Sequence, residues 1–581
     1  MPSPPRFRSA LLGLPLLVLA CAATPRDERP NAPPPETEAP LVAQTVPEQP
    51  LATDSARAQY HILAGEMAAG RDQPEQAARE FLAALAYIDD VELAQRATAL
   101  AIVARNEDLS LQAARRWLAL DPTSADAREV IASLSLKRGE LAETLTQCRE
   151  LIQGHPGGPA EGFMLVLPVL SQAGADRADG ALSVMRQLVE EWPDLAAAHL
   201  ALGLTALHYG RLELAEAAAR KAQALDPQER KYVLLLISIW VRANRIAEAD
   251  ARIDQLARTD TPAADLRIGY AQLLLEFGHR DAARRQLESV LKLDPRNADA
   301  RYALGTLAFE DGDLVTAQKN FEGLLDGPRS SDAALQLGRI AETQQRYAQA
   351  LAYYRRITQG QASVEAAVRS AYVLARMKRL AEARALLQEL RERLPQMAIR
   401  FHLAEGELLI DAGQSQAAVE LYNAALDEDA DNPDLLYGRS LAYERLGQID
   451  AAERDLRRIL ADEPDDARAL NALGYMLVVH APERIAEAET LITRALALEP
   501  DDAAIIDSMG WLQFKLGRPE QALEWLQKAY AKFPDPEVAA HLGEVLWVLN
   551  RREEAQNVWT SALRKNPDHP VLRETMQRLS P

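Results

Sequence analysis

An all-α solenoid of stacked helix pairs is predicted for this chain from three observations: a small residue that returns about every 34 positions, a glycine five residues ahead of it in seven units, and ten prolines that end second helices or open the next unit. The small residue is Ala77, Ser110, Thr144, Ala181, Ala215, Ala249, Ala283, Ala317, Ala350, Ala383, Ala418, Ala452, Ala488, Ala522 and Ala555, and thirteen of the fourteen intervals are 33 to 36 residues. A period of that length over almost the whole chain means that each unit is one helix pair, unable to bury its apolar face until the next unit stacks on it. Length alone would suggest about four domains. A solenoid instead grows by stacking, without enlarging one core.

The spacing has a packing logic. Glycine or alanine on the first helix of a unit and the recurring small residue on its second helix let two antiparallel helices approach closely, and the large residue four places later fills the next gap. The unit Leu202-Gly203, Gly210, Ala215, Ala222, Pro227 shows the pattern most plainly, and Leu542-Gly543, Ala555, Trp559, Ala562, Pro567, Leu304-Gly305 with Phe321 and Leu337-Gly338 with Tyr354 repeat it. Gly139, Gly210, Gly278, Gly312, Gly413, Gly447 and Gly517 stand where each first helix has to end in a left-handed residue. Pro122, Pro156, Pro193, Pro227, Pro295, Pro395, Pro464, Pro500, Pro534 and Pro567 end second helices or open the next unit, since proline lacks the amide donor and restricts its predecessor.

Two units depart from the rhythm. Pro156 to Pro193 contains Gly157-Gly158-Pro159 and Pro168, so that unit is stretched or its first helix kinked. Ala481-Pro482-Glu483 reads as a two-residue insertion in the turn before Ala488. Tyr232 to Val241 reads as a buried first helix, and Val571 to Leu579 as a final helix that caps the last unit. On these residues the chain resembles the tetratricopeptide repeat family over about residues 58 to 568, which implies a superhelical solenoid of about 15 helix pairs plus a C-terminal capping helix.

The amino terminus carries a second signal. Arg6 and Arg8 precede an apolar run from Ala10 to Ala20, and Val18-Leu19-Ala20 leads into Cys21. That order of charge, short apolar run and small residue is a secretory leader. At about 1.5 Å per residue the run reaches about 17 Å, too short to span a bilayer core of roughly 30 Å. The cysteine placement resembles the bacterial lipobox, with Leu19 a departure from the usual smaller or β-branched residue. The resemblance implies removal of residues 1–20, diacylation of Cys21 and, with Ala22 where a retention Asp can stand, the periplasmic leaflet of the outer membrane. An ordinary leader ending near a cysteine is the alternative. From Ala22 to Pro50 there are eight prolines in 29 residues and few large apolar groups. Such a stretch reads as a disordered, semi-rigid tether. The resulting organisation is a leader at 1–20, a lipidated cysteine and tether at 21–50, the solenoid at 51–568 and a capping helix and tail at 569–581.

Composition fits a tethered body. The formal charge of −20 becomes −22 once Arg6 and Arg8 leave with the leader. Acidity of that size disfavours nucleic acid, which needs clustered Lys and Arg to release counterions. It favours basic partners only weakly. Cys148, four residues after Thr144, takes the slot that Phe321, Tyr354 or Trp559 takes elsewhere and reads as a buried small hydrophobe. With Cys21 acylated, no disulfide is available.

Catalytic patterns are missing: there is no phosphate-binding G-x-x-x-x-G-K-[ST], no G-x-S-x-G, no H-E-x-x-H and no C-x-x-C. The nine histidines are scattered and read as surface or packing residues, with His199 and His208 too far apart for an i, i+4 ligand pair. The acidic pairs Asp89-Asp90, Asp465-Asp466 and Asp501-Asp502 sit before first helices and read as caps. No enzyme activity, cofactor, metal or nucleic-acid partner is therefore expected.

What remains is a surface. The family resemblance implies that first helices line the concave side, with the positions three before, one after and four after the helix glycine turned into the groove. Carried onto this chain, these are Asn471 and Tyr475, Asp507, Trp511 and Phe514, Glu544 and Trp547, with Tyr302 and Phe309 further back. Rings beside an amide and carboxylates suit an extended peptide; the alternative is that the rings pack between helices. The runs Asn471-Ala472-Leu473-Gly474-Tyr475, Asp507-Ser508-Met509-Gly510-Trp511 and His541-Leu542-Gly543-Glu544-Val545-Leu546-Trp547 resemble a set of long proteobacterial tetratricopeptide lipoproteins. The best understood of these are outer-membrane adaptors that bring cell-wall hydrolases to a periplasmic carboxyl-terminal processing protease. The resemblance thus implies a non-enzymatic adaptor with that protease and its substrates as partners. An assembly factor for an envelope machine, such as a pilus secretin, a barrel-insertion complex or a polysaccharide exporter, is the second reading, and an enzyme with an unrecognised site the third.

Overall fold

The computed structural model describes residues 53–259, 263–360, 362–565 and 569–579. The leader, Cys21 and the proline-rich tether lie outside the described residues, as does Pro567. Among the described residues there are 31 α-helices, three short 3-10 turns and no strand. No helix among them is long and apolar enough to cross a membrane.

The chain divides into two units, residues 1–300 and 301–581. The first holds seven helix pairs, from Asp54–Ala69 with Pro74–Ala84 to Ala263–Glu276 with Arg280–Leu293. The division falls inside the helix Ala298–Glu310, which opens the second unit's eight pairs; these run to Pro536–Val548 with Arg552–Lys565 and are closed by Pro570–Leu579. Within each unit helices pack on the next in sequence, as Ala503–Lys515 does on Pro519–Lys532, and several first helices also touch the first helix of the following pair, as Pro159–Ser171 does with Ala196–His208.

The fifteen recurring small residues are the centre of this packing: none is more than 2% exposed. Beside Gly65, Gly305, Gly338, Gly406, Gly474, Gly510 and Gly543 of the first helices stands the large residue four places after the small one. A methyl group at Gly305 would come within 2.8 Å of the Phe321 ring, and at Gly510 within 2.7 Å of Leu526; at Gly543 it would run into the Trp559 indole. Those approaches leave no room for a side chain.

The turn slot five residues before the small residue behaves alike in thirteen pairs. All seven predicted glycines have φ between +68° and +80°. Asp72, Arg105, Asn244, Gln345, Lys378 and Asn550 take the same left-handed conformation without being glycine, with φ from +54° to +62°. The other two pairs are the irregular ones, and both turn through a 3-10 segment instead, Ala175–Arg177 and Pro482–Arg484. In the stretched unit Pro159 begins the helix Pro159–Ser171, where its missing N–H costs nothing. Pro168 sits inside that helix, and the surplus length goes into the turn.

The acidic pairs divide their work. Asp90, Asp466 and Asp502 cap first helices by accepting from the amides of Leu93, Ala469 and Ile505. Asp89, Asp465 and Asp501 reach across to Arg116, Arg494 and Lys532 of the adjoining second helix. Cys148 is fully buried, and burial pushes its thiol up to about 12. In the helix Arg230–Arg242, Tyr232, Leu235, Leu236, Ile239 and Val241 are all buried, as its pattern predicts.

Candidate functional site

Three consecutive first helices of the second unit, Ala467–His480, Ala503–Lys515 and Pro536–Val548, carry most of the predicted groove residues. Each starts from an acidic cap, Asp466, Asp502 or Asp535, which fixes its first turn. Two of them end in a left-handed residue, Gly517 and Asn550, and the first ends at the Pro482 turn.

The centre of this face is His541. Its Nδ1 lies 2.9 Å from Asp507 Oδ2, its Nε2 lies 3.3 Å from the Tyr475 hydroxyl, and its ring stacks on Trp511 with centroids 4.1 Å apart and 20° between planes. Phe514 lies against the other part of Trp511 at 5.2 Å, and Lys515 Nζ stands 4.5 Å over the indole. Burial pulls the imidazole toward neutrality. The Asp507 carboxylate, with Glu537 and Glu544 behind it, more than offsets that, so His541 is held above its ordinary pKa. Burial, with Asp507, Glu537 and Glu444 nearby, also raises Tyr475, which stays a neutral phenol.

The same face is tied across longer distances. His541 and Tyr475 belong to helices two pairs apart, and Arg445 reaches Glu537 at 3.7 Å across three. Glu444, raised by burial and partly relieved by His480 at 3.6 Å, lies in the same set. Arg578 of the closing helix bonds Glu544 at 2.5 Å. The Trp547 ring meets Trp559 at 5.8 Å and lies under Arg552 at 5.1 Å.

The structure corrects the expectation of an open groove at three of these residues. Asp507, Trp511 and Glu544 are each only 7% exposed. The cause is the closeness of successive first helices. The residues at these slots meet His541 of the next helix or Arg578 of the closing one before they meet solvent. Asn471, Tyr475, Phe514 and Trp547 are half-buried and remain reachable. Tyr302 and Phe309 do not join the cluster: they sit on Ala298–Glu310, five pairs away, under Arg329 and Arg339. Sequence reasoning gave His541 no role. An acid and an imidazole one repeat apart, Asp507 and His541, were the signal available.

Two acceptors on this face are left over. Neither Asn471 Oδ1 nor Asp507 Oδ1 has a hydrogen-bond donor among the described residues, although both are buried. Buried acceptors are nearly always satisfied; of these two only Asn471 belongs to a half-buried side chain. No group of three or more His, Cys, Asp or Glu among the described residues is arranged to hold a metal.

A solenoid of antiparallel helix pairs with a built polar face is a scaffold for protein–protein interaction. Two models of the tetratricopeptide repeat match the chain, one over residues 409–474 and 480–540 and the other over 169–230, 271–321, 316–363 and 335–398, together more than half of it. The chain belongs to the tetratricopeptide repeat proteins. Over 194 residues it is 30% identical to a TPR repeat-containing protein of Pseudomonas aeruginosa, a match that covers 33% of each chain. Over 169 residues it is 31% identical to cellulose synthase operon protein C of Xanthomonas axonopodis pv. citri, covering 27% of this chain and 11% of that one. The chain thus spans about a third of the first relative and about a tenth of the second. The solved structure of Naa15/Naa10 bound to HypK-THB matches over 90% of this chain and 94% of that chain, at 15% identity and a TM-score of 0.36.

Proposed function

We propose that this protein is a non-enzymatic, membrane-tethered adaptor that holds a periplasmic carboxyl-terminal processing protease together with its substrates, such as cell-wall hydrolases. The observation that carries the reading is the C-terminal face. The half-buried rings of Phe514 and Trp547 and the half-buried amide of Asn471 offer area and hydrogen bonds to an extended chain. The leader, Cys21 and the proline-rich stretch to Pro50 support a lipid anchor on the periplasmic leaflet of the outer membrane. Anchoring two binding events on one body raises their effective concentration without new chemistry.

Affinity capture from solubilised envelopes, read by mass spectrometry, tests this. A periplasmic protease and a wall hydrolase are expected to co-purify, and to be reduced when Asn471 is replaced by Leu. Absence of any protease from the captured set sinks the adaptor reading. Mass spectrometry of the mature amino terminus tests the anchor, with a diacylated Cys21 expected.

A second reading has its own observation. The match to cellulose synthase operon protein C favours an assembly role in a polysaccharide machine. Deleting the gene separates the two: accumulated wall hydrolases support the adaptor, and lost polysaccharide supports assembly.

A further inference from the structure

The first helix of the solenoid, Asp54–Ala69, exposes three large apolar side chains on one stripe: Tyr60 at 57%, Leu63 at 64% and Met67 at 58%. Relative to the glycine of this helix, Gly65, they stand five before, two before and two after. The same three positions of the fifth pair are Ala198, Ala201 and Thr205, and of the sixth pair Tyr232, Leu235 and Ile239; all six are at most 5% exposed. In those pairs the positions face the preceding pair, and among the described residues no pair precedes the first helix. Tyr60, Leu63 and Met67 therefore form the stacking face of a repeat on which no described residue is stacked, and exposed apolar faces of this kind mark interaction sites.

We propose that a second copy of this chain covers that face, the two Asp54–Ala69 helices packing antiparallel about a two-fold axis between Leu63 and Ala64. The order of residues on the stripe fits such an axis. It sets Leu63 against Leu63 of the second copy and Tyr60 against Met67 of the second copy, a ring-to-sulfur contact of the favourable kind. The ends also match in charge. Asp54 at the start of the helix falls near Arg71 of the second copy, and Arg71 has no ion-pair partner among the described residues, while Asp54 is held only by the exposed Arg57. Three anchors a side make a small interface, so the dimer forms on the order of micromolar concentrations.

Sedimentation equilibrium of the full chain tests this. A monomer–dimer equilibrium is expected, weakened on the order of thirtyfold by Leu63→Glu. The equally exposed but distant Leu293→Glu is expected to leave it unchanged. Far-UV circular dichroism checks that the helices persist. Leu63→Cys in a Cys21→Ser background is expected to give a disulfide-linked dimer on oxidation, because the remaining thiol, Cys148, is buried. A monomer at all concentrations overturns the proposal, as does a dimer indifferent to Leu63→Glu. A monomer whose amides from 60 to 67 are protected from exchange also overturns it, assigning the face to the chain's own residues before 53. None of these outcomes depends on which protein the C-terminal face binds.

Discussion

Gly543 and Trp559 show how little slack one position has. The indole lies where a side chain on residue 543 would be, and both belong to a core that is fully closed. Gly543→Ala is expected to destabilise the last pairs by about 2 kcal/mol, the usual cost of overpacking, read as a lower denaturant midpoint. His541 makes a prediction with a sign. Its pKa is raised in the folded chain, so its contribution is fully present below its unfolded value, about 6.5, and is lost as pH rises through the higher folded value. His541→Gln is expected to cost about 2 kcal/mol at acid to neutral pH, by leaving the Asp507 carboxylate buried without its partner. At alkaline pH the deficit shrinks. A pH series of denaturation curves for the wild type and variant checks this, and a deficit that grows with pH would contradict the assignment.

Helix pairs were legible because their signals are local. Each needs only the small residue of its own second helix and the neighbours that pack on it, and all fifteen small residues lie buried as expected. The six left-handed turns without glycine were not marked in the sequence, since nothing in Arg105 or Gln345 announces a positive φ. Packing of the two flanking helices imposes it. That strain is removable. Gln345→Gly is expected to stabilise its pair by on the order of 0.5 kcal/mol, after the entropy glycine loses on folding. Asn550→Gly should gain less, because asparagine already tolerates that conformation. Melting temperatures of the two variants measure the difference. The C-terminal cluster was half legible for a related reason. Which slots face the neighbouring helix follows from the repeat, whereas how closely helices two pairs apart approach, as Tyr475 and His541 do, depends on the stacking of everything between them.

An array of this kind has stability that sums over neighbours, so damage stays near its source. Leu572 of the closing helix is fully buried, and Arg578 of the same helix holds Glu544. Leu572→Glu is expected to undock the closing helix and to lose amide protection in residues 536–565, while residues 54–250 exchange as before. Hydrogen exchange with mass spectrometry reads both regions in one experiment; uniform loss along the chain would mean a single cooperative core. A chain of 581 residues thus gets its length from repetition.

Cys148 gives that locality a clock. The thiol sits in the third pair, sealed by Leu151, Ile152, Phe163 and Met185. A reagent can alkylate it only while those helices are apart. Its labelling rate, compared with that of an unstructured thiol, therefore reports how often one interior pair opens within an otherwise intact array.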